Sequence, residues 1–241
     1  MTPWWMLTAI ALLLGAIALA VAAARATRRG SDSAVVTTAL TLAVITAVIA
    51  AVGGVVALLS SLLAPSVPIS IPVQDYWPVL PAGAEIQGPS ATRVGGGFRT
   101  AEIVAAGLSM GARVCWGISQ AVAWLVPGTV ATLVAITCAQ LRAGRPFAPV
   151  LARLTMFVAG AVALGGTCAQ VLGDTAGSMA AQELLAVTGW TSPEDLSALL
   201  PQPALLITFP FWPIGAGLAL AALATLLRRG QALQRDTEGL V

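Results

Sequence analysis

Apolar residues in this chain come in long uninterrupted blocks separated by short polar joints, not in the one-in-two or one-in-four pattern of a half-buried element. Five blocks stand out: Trp4–Ala24, then about 34–63, 117–141, 154–173 and 205–227. A helix needs ~20 predominantly apolar residues to cross a bilayer, so these blocks predict an all-α transmembrane helical bundle of about five spans. The block from Ala34 to Leu63 exceeds that need, so it is expected to tilt, bend near Gly53-Gly54 or project from the membrane. Pro127-Gly128 predicts a kink in the third block.

Three of the blocks close on the same signature, Arg-x-Gly: Arg28-Arg29-Gly30, Arg142-Ala143-Gly144 and Arg228-Arg229-Gly230. Cations in a last turn followed by glycine read as a helix stop. In a membrane the same arginines mark the cytoplasmic side. Counting by the five-span scheme, nine arginines fall inside (25, 28, 29, 142, 145, 153, 228, 229, 235) and three outside (93, 99, 113). That asymmetry orients the N-terminus outside and the C-terminus in the cytoplasm. Residues 22–26 resemble a signal cleavage site, but the positive charges follow the apolar block instead of preceding it, which favours a retained helix.

Between residues 64 and 116 the pattern changes. Pro65, Pro68, Pro72, Pro78, Pro81 and Pro89 exclude a continuous helix, while Val67–Gln74 and Thr100–Ala105 carry β-branched residues in partial alternation. These predict a small extracytoplasmic β-containing region, with Gly95-Gly96-Gly97 as a turn or bulge. The second outer segment, 174–204, holds a short interfacial helix expected at Met179–Val187 and a helix start at Ser192-Pro193-Glu194-Asp195. The organisation read from the pattern is therefore 1–33, a leading helix with its cytoplasmic joint, and 34–241, the main membrane domain ending in a cytoplasmic tail, 228–241.

Composition agrees with this picture. Apolar residues make up 58% of the 241-residue chain and charged residues 9%, against the ~25% charged of a soluble domain. All 12 basic residues are arginine, and histidine is absent. A net charge of +2 divided among separate joints does not suggest direct nucleic-acid binding. Without histidine or a C-x-x-C pair there is no metal-ligand spacing, and no cofactor is expected. Cys115, Cys138 and Cys168 read as packing residues. The expected spans hold no Asp, Glu, Arg, Lys or His, which argues against a proton-coupled pump. Gln120, Gln140 and Gln170 read as interhelical hydrogen-bonding or interface groups, in preference to a substrate site. Small residues four apart, as in Ala43/Ala47/Ala51, Ala161/Gly165/Ala169 and Gly217/Ala221/Thr225, suit close helix approach.

The most suggestive surface is the cytoplasmic one. Arg142, Gly144, Arg145, Phe147, Arg228, Arg229 and Gly230, with Asp236 and Glu238 of the tail, form the candidate contact set for anionic headgroups, a cytoplasmic protein or another membrane subunit. An internal latch between the acidic tail and the arginine joints is a further expectation. On these residues, Leu141-Arg142-x-Gly144-x-Pro146-Phe147 followed by Arg229-Gly230-x-x-Leu233-x-x-Asp236-x-Glu238-Gly239-Leu240-Val241, the chain resembles an uncharacterised family of small bacterial multi-pass membrane proteins known only as a domain of unknown function. Some members of that family are encoded beside a small helix-turn-helix regulator. The resemblance covers about Ala34–Val241, leaves Trp4–Ala24 as an additional helix, and implies a bacterial inner-membrane location; it supplies no catalytic residue. The expected function is a non-catalytic sensory, regulatory or scaffolding subunit, the alternative being a permease or exporter for a neutral or lipidic molecule.

Overall fold

A computed structural model describes residues 32–77, 95–145, 147–187, 189 and 200–238, with side chains for all but 32–33 and 233–238. The expected leading span Trp4–Ala24, the joint at residues 25–30 and the helix start at Ser192–Asp195 lie outside the described residues. Within them the order is α1 (Asp32–Leu63), β1 (Ser66–Tyr76), β2 (Phe98–Ala106), α2 (Met110–Arg142), α3 (Pro149–Gly160), a π-turn (Ala161–Gly165), α4 (Gly166–Leu184) and α5 (Trp212–Glu238). Three helical stretches are long and apolar enough to cross a membrane: Ala34–Leu63, Met110–Arg142 and Pro149–Leu184. The last has 36 residues, about 54 Å at ~1.5 Å per residue, well beyond a ~30 Å hydrocarbon core.

Helix extents differ from the expected blocks in instructive places. Residues 179–184 do not form a separate interfacial helix; they continue α4 past Gly173. The reason is packing: Ala176, Ala180 and Ala181 are wholly buried, and Gly177 lies so close to β1 that a Cβ there would stand 2.5 Å from the Ser70 carbonyl oxygen. Gly53-Gly54 does not interrupt α1. Gly53 instead seats the indole of Trp124, whose Cδ2 would be 2.8 Å from an added Cβ. α2 begins at Met110, before the expected 117, and contains Pro127. The stretch 204–210 is extended, and α5 begins only at Trp212, with Pro213 in its first turn where the missing N–H costs nothing.

Contact density divides the described chain into two compact units. One draws on residues 32–55, 122–167 and 210–238, and its regular elements are all helices. Its core is Leu133, Val158 and Val162, flanked by Val126, Val130, Leu154, Ala216 and Leu220. Small residues bring the backbones together there: a Cβ on Gly128 would lie 2.8 Å from that of Ala50, and one on Gly217 would lie 2.7 Å from that of Ala163. Threonine hydroxyls in these helices, such as Thr132 and Thr155, donate to the carbonyl one turn back, at 2.8 and 2.7 Å, and so need no outside partner.

The other unit draws on residues 56–121 and 168–209. Here β1 and β2 pair antiparallel, from Ser66↔Ala106 to Pro72↔Thr100, with an irregular register before Tyr76↔Phe98. Gly95-Gly96-Gly97 directly precedes β2, outside that irregularity: Gly96 has φ +86°, and Gly97 approaches the Tyr76 carbonyl so closely that a Cβ would stand 2.8 Å from it. One face of β1 buries Val67, Ile69 and Ile71 with Ala105 and Leu108 against Ala176, Ala180 and Ala181 of α4, and Cys115 packs beside them. At the end of the hairpin where β1 leads towards β2, Trp77 stacks on Phe98 with ring centroids 5.9 Å apart. Beside this pair Arg99 Nε donates to Asp75 Oδ1 at 2.7 Å; that hydrogen bond, and then the carboxylate charge, raises the guanidinium pKa above its ordinary value.

Candidate functional site

The second Arg-x-Gly copy is a complete helix stop. Gly144 adopts φ +71°, its N–H donates to the Leu141 carbonyl at 3.1 Å, and the Arg145 N–H donates to the Gln140 carbonyl at 3.0 Å. This paired arrangement satisfies two of the orphan carbonyls that end α2 and turns the chain at once. α3 then starts at Pro149, placing Arg142, Arg145 and Phe147 on a tight exposed loop.

The third copy behaves differently, and this corrects the helix-stop expectation for it. α5 does not end at Gly230 but continues to Glu238. Gly230 is a contact residue: a Cβ there would stand 2.8 Å from Cε1 and 2.9 Å from Cδ1 of Phe147. One residue on, Gln231 Nε2 donates to the Ala148 carbonyl at 3.3 Å. The two motifs, more than eighty residues apart in sequence, are thereby fastened to each other, ring on glycine and amide on carbonyl. Arg142, Arg145, Arg228 and Arg229 are all exposed. Among the described residues none of them joins an ion pair, that contact being confined to Arg99–Asp75. Asp236 and Glu238 fall in the last turns of α5 with side chains outside the described residues, as is the Pro146 of the motif.

A second polar constellation was not singled out by sequence reasoning. Asp174 lies one residue beyond the expected end of the fourth span, yet within α4. Its Oδ2 accepts the Thr208 N–H at 2.7 Å and the Thr208 hydroxyl at 2.6 Å. Gln170 Nε2 donates to Asp174 Oδ1 at 2.9 Å and to Thr208 Oγ1 at 3.1 Å. Gln170 therefore bonds within its own helix and to a non-helical segment, not to a second helix as expected. All lone pairs engaged here serve structure, so the cluster holds backbone in place rather than presenting a free base.

Two further polar residues work on helix ends. Arg113 donates from Nη1 to the carbonyls of Ala64 at 2.8 Å and Leu62 at 3.4 Å, and from Nη2 to Pro65 at 3.3 Å, closing the C-terminus of α1. Ser109 caps α2 by accepting the Ala112 N–H at 3.3 Å, and Glu183 Oε2 accepts the Ser109 N–H at 2.9 Å. The sequence signal for these was present as isolated charges beside apolar blocks, but their partners come from other elements. Cys115, Cys138 and Cys168 are free thiols, and among the described residues no cluster of three or more carboxylates or thiols could hold a metal. No family model, curated protein or solved structure matches this chain, so what it does must be argued from its own residues.

Proposed function

We propose that this chain is a non-catalytic multi-pass protein of a bacterial inner membrane, acting as a sensory, regulatory or scaffolding subunit. In this reading it crosses five times, with the N-terminus outside and the C-terminus in the cytoplasm. The three long apolar helices support the membrane location. A further crossing rests on the apolar block 205–227 of the sequence, of which Trp212–Leu227 is helical, and the fifth rests on the Trp4–Ala24 block. The family resemblance carried by the two arginine motifs belongs to the same proposal.

The observation that carries the functional part is the joining of those motifs. Phe147 against Gly230, and Gln231 on the Ala148 carbonyl, hold a loop and the last turns of α5 as one surface from which Arg142, Arg145, Arg228 and Arg229 project. Exposed guanidinium groups that form no ion pair among the described residues are suited to bidentate recognition of carboxylates, and a fixed spacing makes that recognition selective. The surface is read as a dock for an acidic patch on a cytoplasmic protein. Cross-linking in native membranes followed by mass spectrometry should recover one specific cytoplasmic protein, lost when Arg142→Gln and Arg229→Gln are combined. Purified protein that moves a solute across liposomes by itself would replace this reading with a permease. A C-terminal fluorescent fusion emitting only from outside the inner membrane would overturn the topology.

A further inference from the structure

Residues 203–211 run from the sheet to α5 as an extended strap, and their composition is unusual for exposed chain. Leu205, Phe209, Phe211 and Trp212 are 72%, 64%, 82% and 67% exposed, and Ile207 is 47% exposed. No ionisable residue occurs from 196 to 227. We propose that this strap is a membrane-interface element, its apolar side chains seated at the headgroup–acyl boundary of the bilayer and its backbone held by α4.

The backbone accounting supports this. Val73 bridges to Pro203, and the Ala204 N–H donates to the Pro72 carbonyl at 3.3 Å. Ser178 Oγ then accepts the Leu206 N–H and donates to the Leu206 carbonyl, both at 3.3 Å, and Asp174 accepts the Thr208 N–H at 2.7 Å. The two runs are antiparallel and in register: four helical residues, Asp174 to Ser178, rise ~6.0 Å. Two extended residues, Thr208 to Leu206, advance ~6.6 Å. Side chains of one helix face thus stand in for the neighbouring strand that every second amide would otherwise require. Pro203 and Pro210 contribute no N–H at all. The alternate amides, at Leu205, Ile207 and Phe209, face the other edge and have no partner among the described residues. Hydrocarbon cannot satisfy them, whereas the interface offers water and ester carbonyls beside apolar chains. Phe209, Phe211 and Trp212 are the residue types that collect at that level, and the strap leads directly into the apolar run of α5. Asp174 is on this account a positioning residue.

The inference rests on the membrane reading but not on the cytoplasmic partner. Its test uses the full chain carrying C115S, C138S and C168S, reconstituted in lipid, with one nitroxide label at Phe209→Cys. Labels at Val52→Cys on α1 and Glu102→Cys on β2 serve as references. The label at position 209 should collide with oxygen several-fold more, relative to a water-soluble nickel chelate, than the label at 102. A water-like label at 209 beside a lipid-like label at 52 overturns the strap alone; water-like labels at both overturn the membrane reading as well. A label at 209 shielded from both reagents means that protein, such as a second copy pairing on the free edge, covers the strap, and also overturns it. Asp174→Ala should raise the mobility and chelate accessibility of the 209 label several-fold, with Asp174→Asn retaining most of the wild-type signal. No change in Asp174→Ala removes the positioning role.

Discussion

Gly144 and Gly230 occupy the same position in the same short motif and are used for opposite reasons. Gly144 is needed for its conformation: φ is +71° and nothing stands within 4 Å of where a Cβ would be. Gly230 is needed for its size: it sits inside a regular helix, and the place of its Cβ is taken by the Phe147 ring. A motif that looks like one device is therefore a stop in one place and a socket in the other. The difference arises because the residue after Gly144 finds the Gln140 carbonyl, whereas at Gly230 the neighbouring loop supplies a ring that fits only against a bare backbone.

The size argument has its most severe form at Gly177, where the neighbour is the Ser70 carbonyl of β1 and cannot swing aside as a side chain can. Gly177→Ala should therefore lose about 3 kcal/mol, at the upper end of ordinary overpacking. Thermal unfolding in bicelles checks this; an unchanged midpoint would show that β1 and α4 are not in such close contact. The conformational argument is tested by a pair of substitutions. Gly144→Val should lose about 1–2 kcal/mol because a β-branched residue resists the left-handed region, while Gly144→Asn should lose clearly less. Equal losses would mean that space and not φ is limiting there.

The smallest effect is the most discriminating between the two glycines. Gly230→Ala alone should be nearly neutral, since the gain of about 1 kcal/mol from helix propensity is offset by displacing the Phe147 ring. In a Phe147→Ala background the same change should stabilise by about that full amount, giving a coupling near 1 kcal/mol in a double-mutant cycle. Additive effects would separate the two motifs and weaken the case for one joined arginine surface.

Much of the architecture could be read along the chain. The long apolar blocks announce helices because such segments are stable only against lipid or other helices, and three of them became the long helices described. Val67–Gln74 and Thr100–Ala105 announced the two strands through β-branched alternation among prolines, and both lie within the observed hairpin. The arginine residues of the candidate surface were legible as well, since charges beside apolar blocks stand out. Their physical linkage was not, because it depends on Phe147 meeting Gly230 across a long loop of intervening chain.

What failed to be legible shares one cause. The end of the fourth helix was expected at Gly173, yet that glycine accommodates Ser119, whose Oγ would be 2.8 Å from an added Cβ, and whose hydroxyl donates to the Ala169 carbonyl at 2.7 Å. The start of the last block at Leu205 was expected to be helical, yet Asp174 and Ser178 offer the backbone hydrogen bonds that allow it to remain extended. Apolarity and periodicity report how a residue partitions between water and oil, and local propensity reports how it prefers to turn. The chain by itself thus determined which blocks carry the three long helices, where the two strands lie and where positive charge collects. Only the tertiary structure decided which glycine is a turn and which a socket, how far α4 extends, and why an apolar segment stays unwound, because each depends on a hydrogen bond or a close contact from a distant residue.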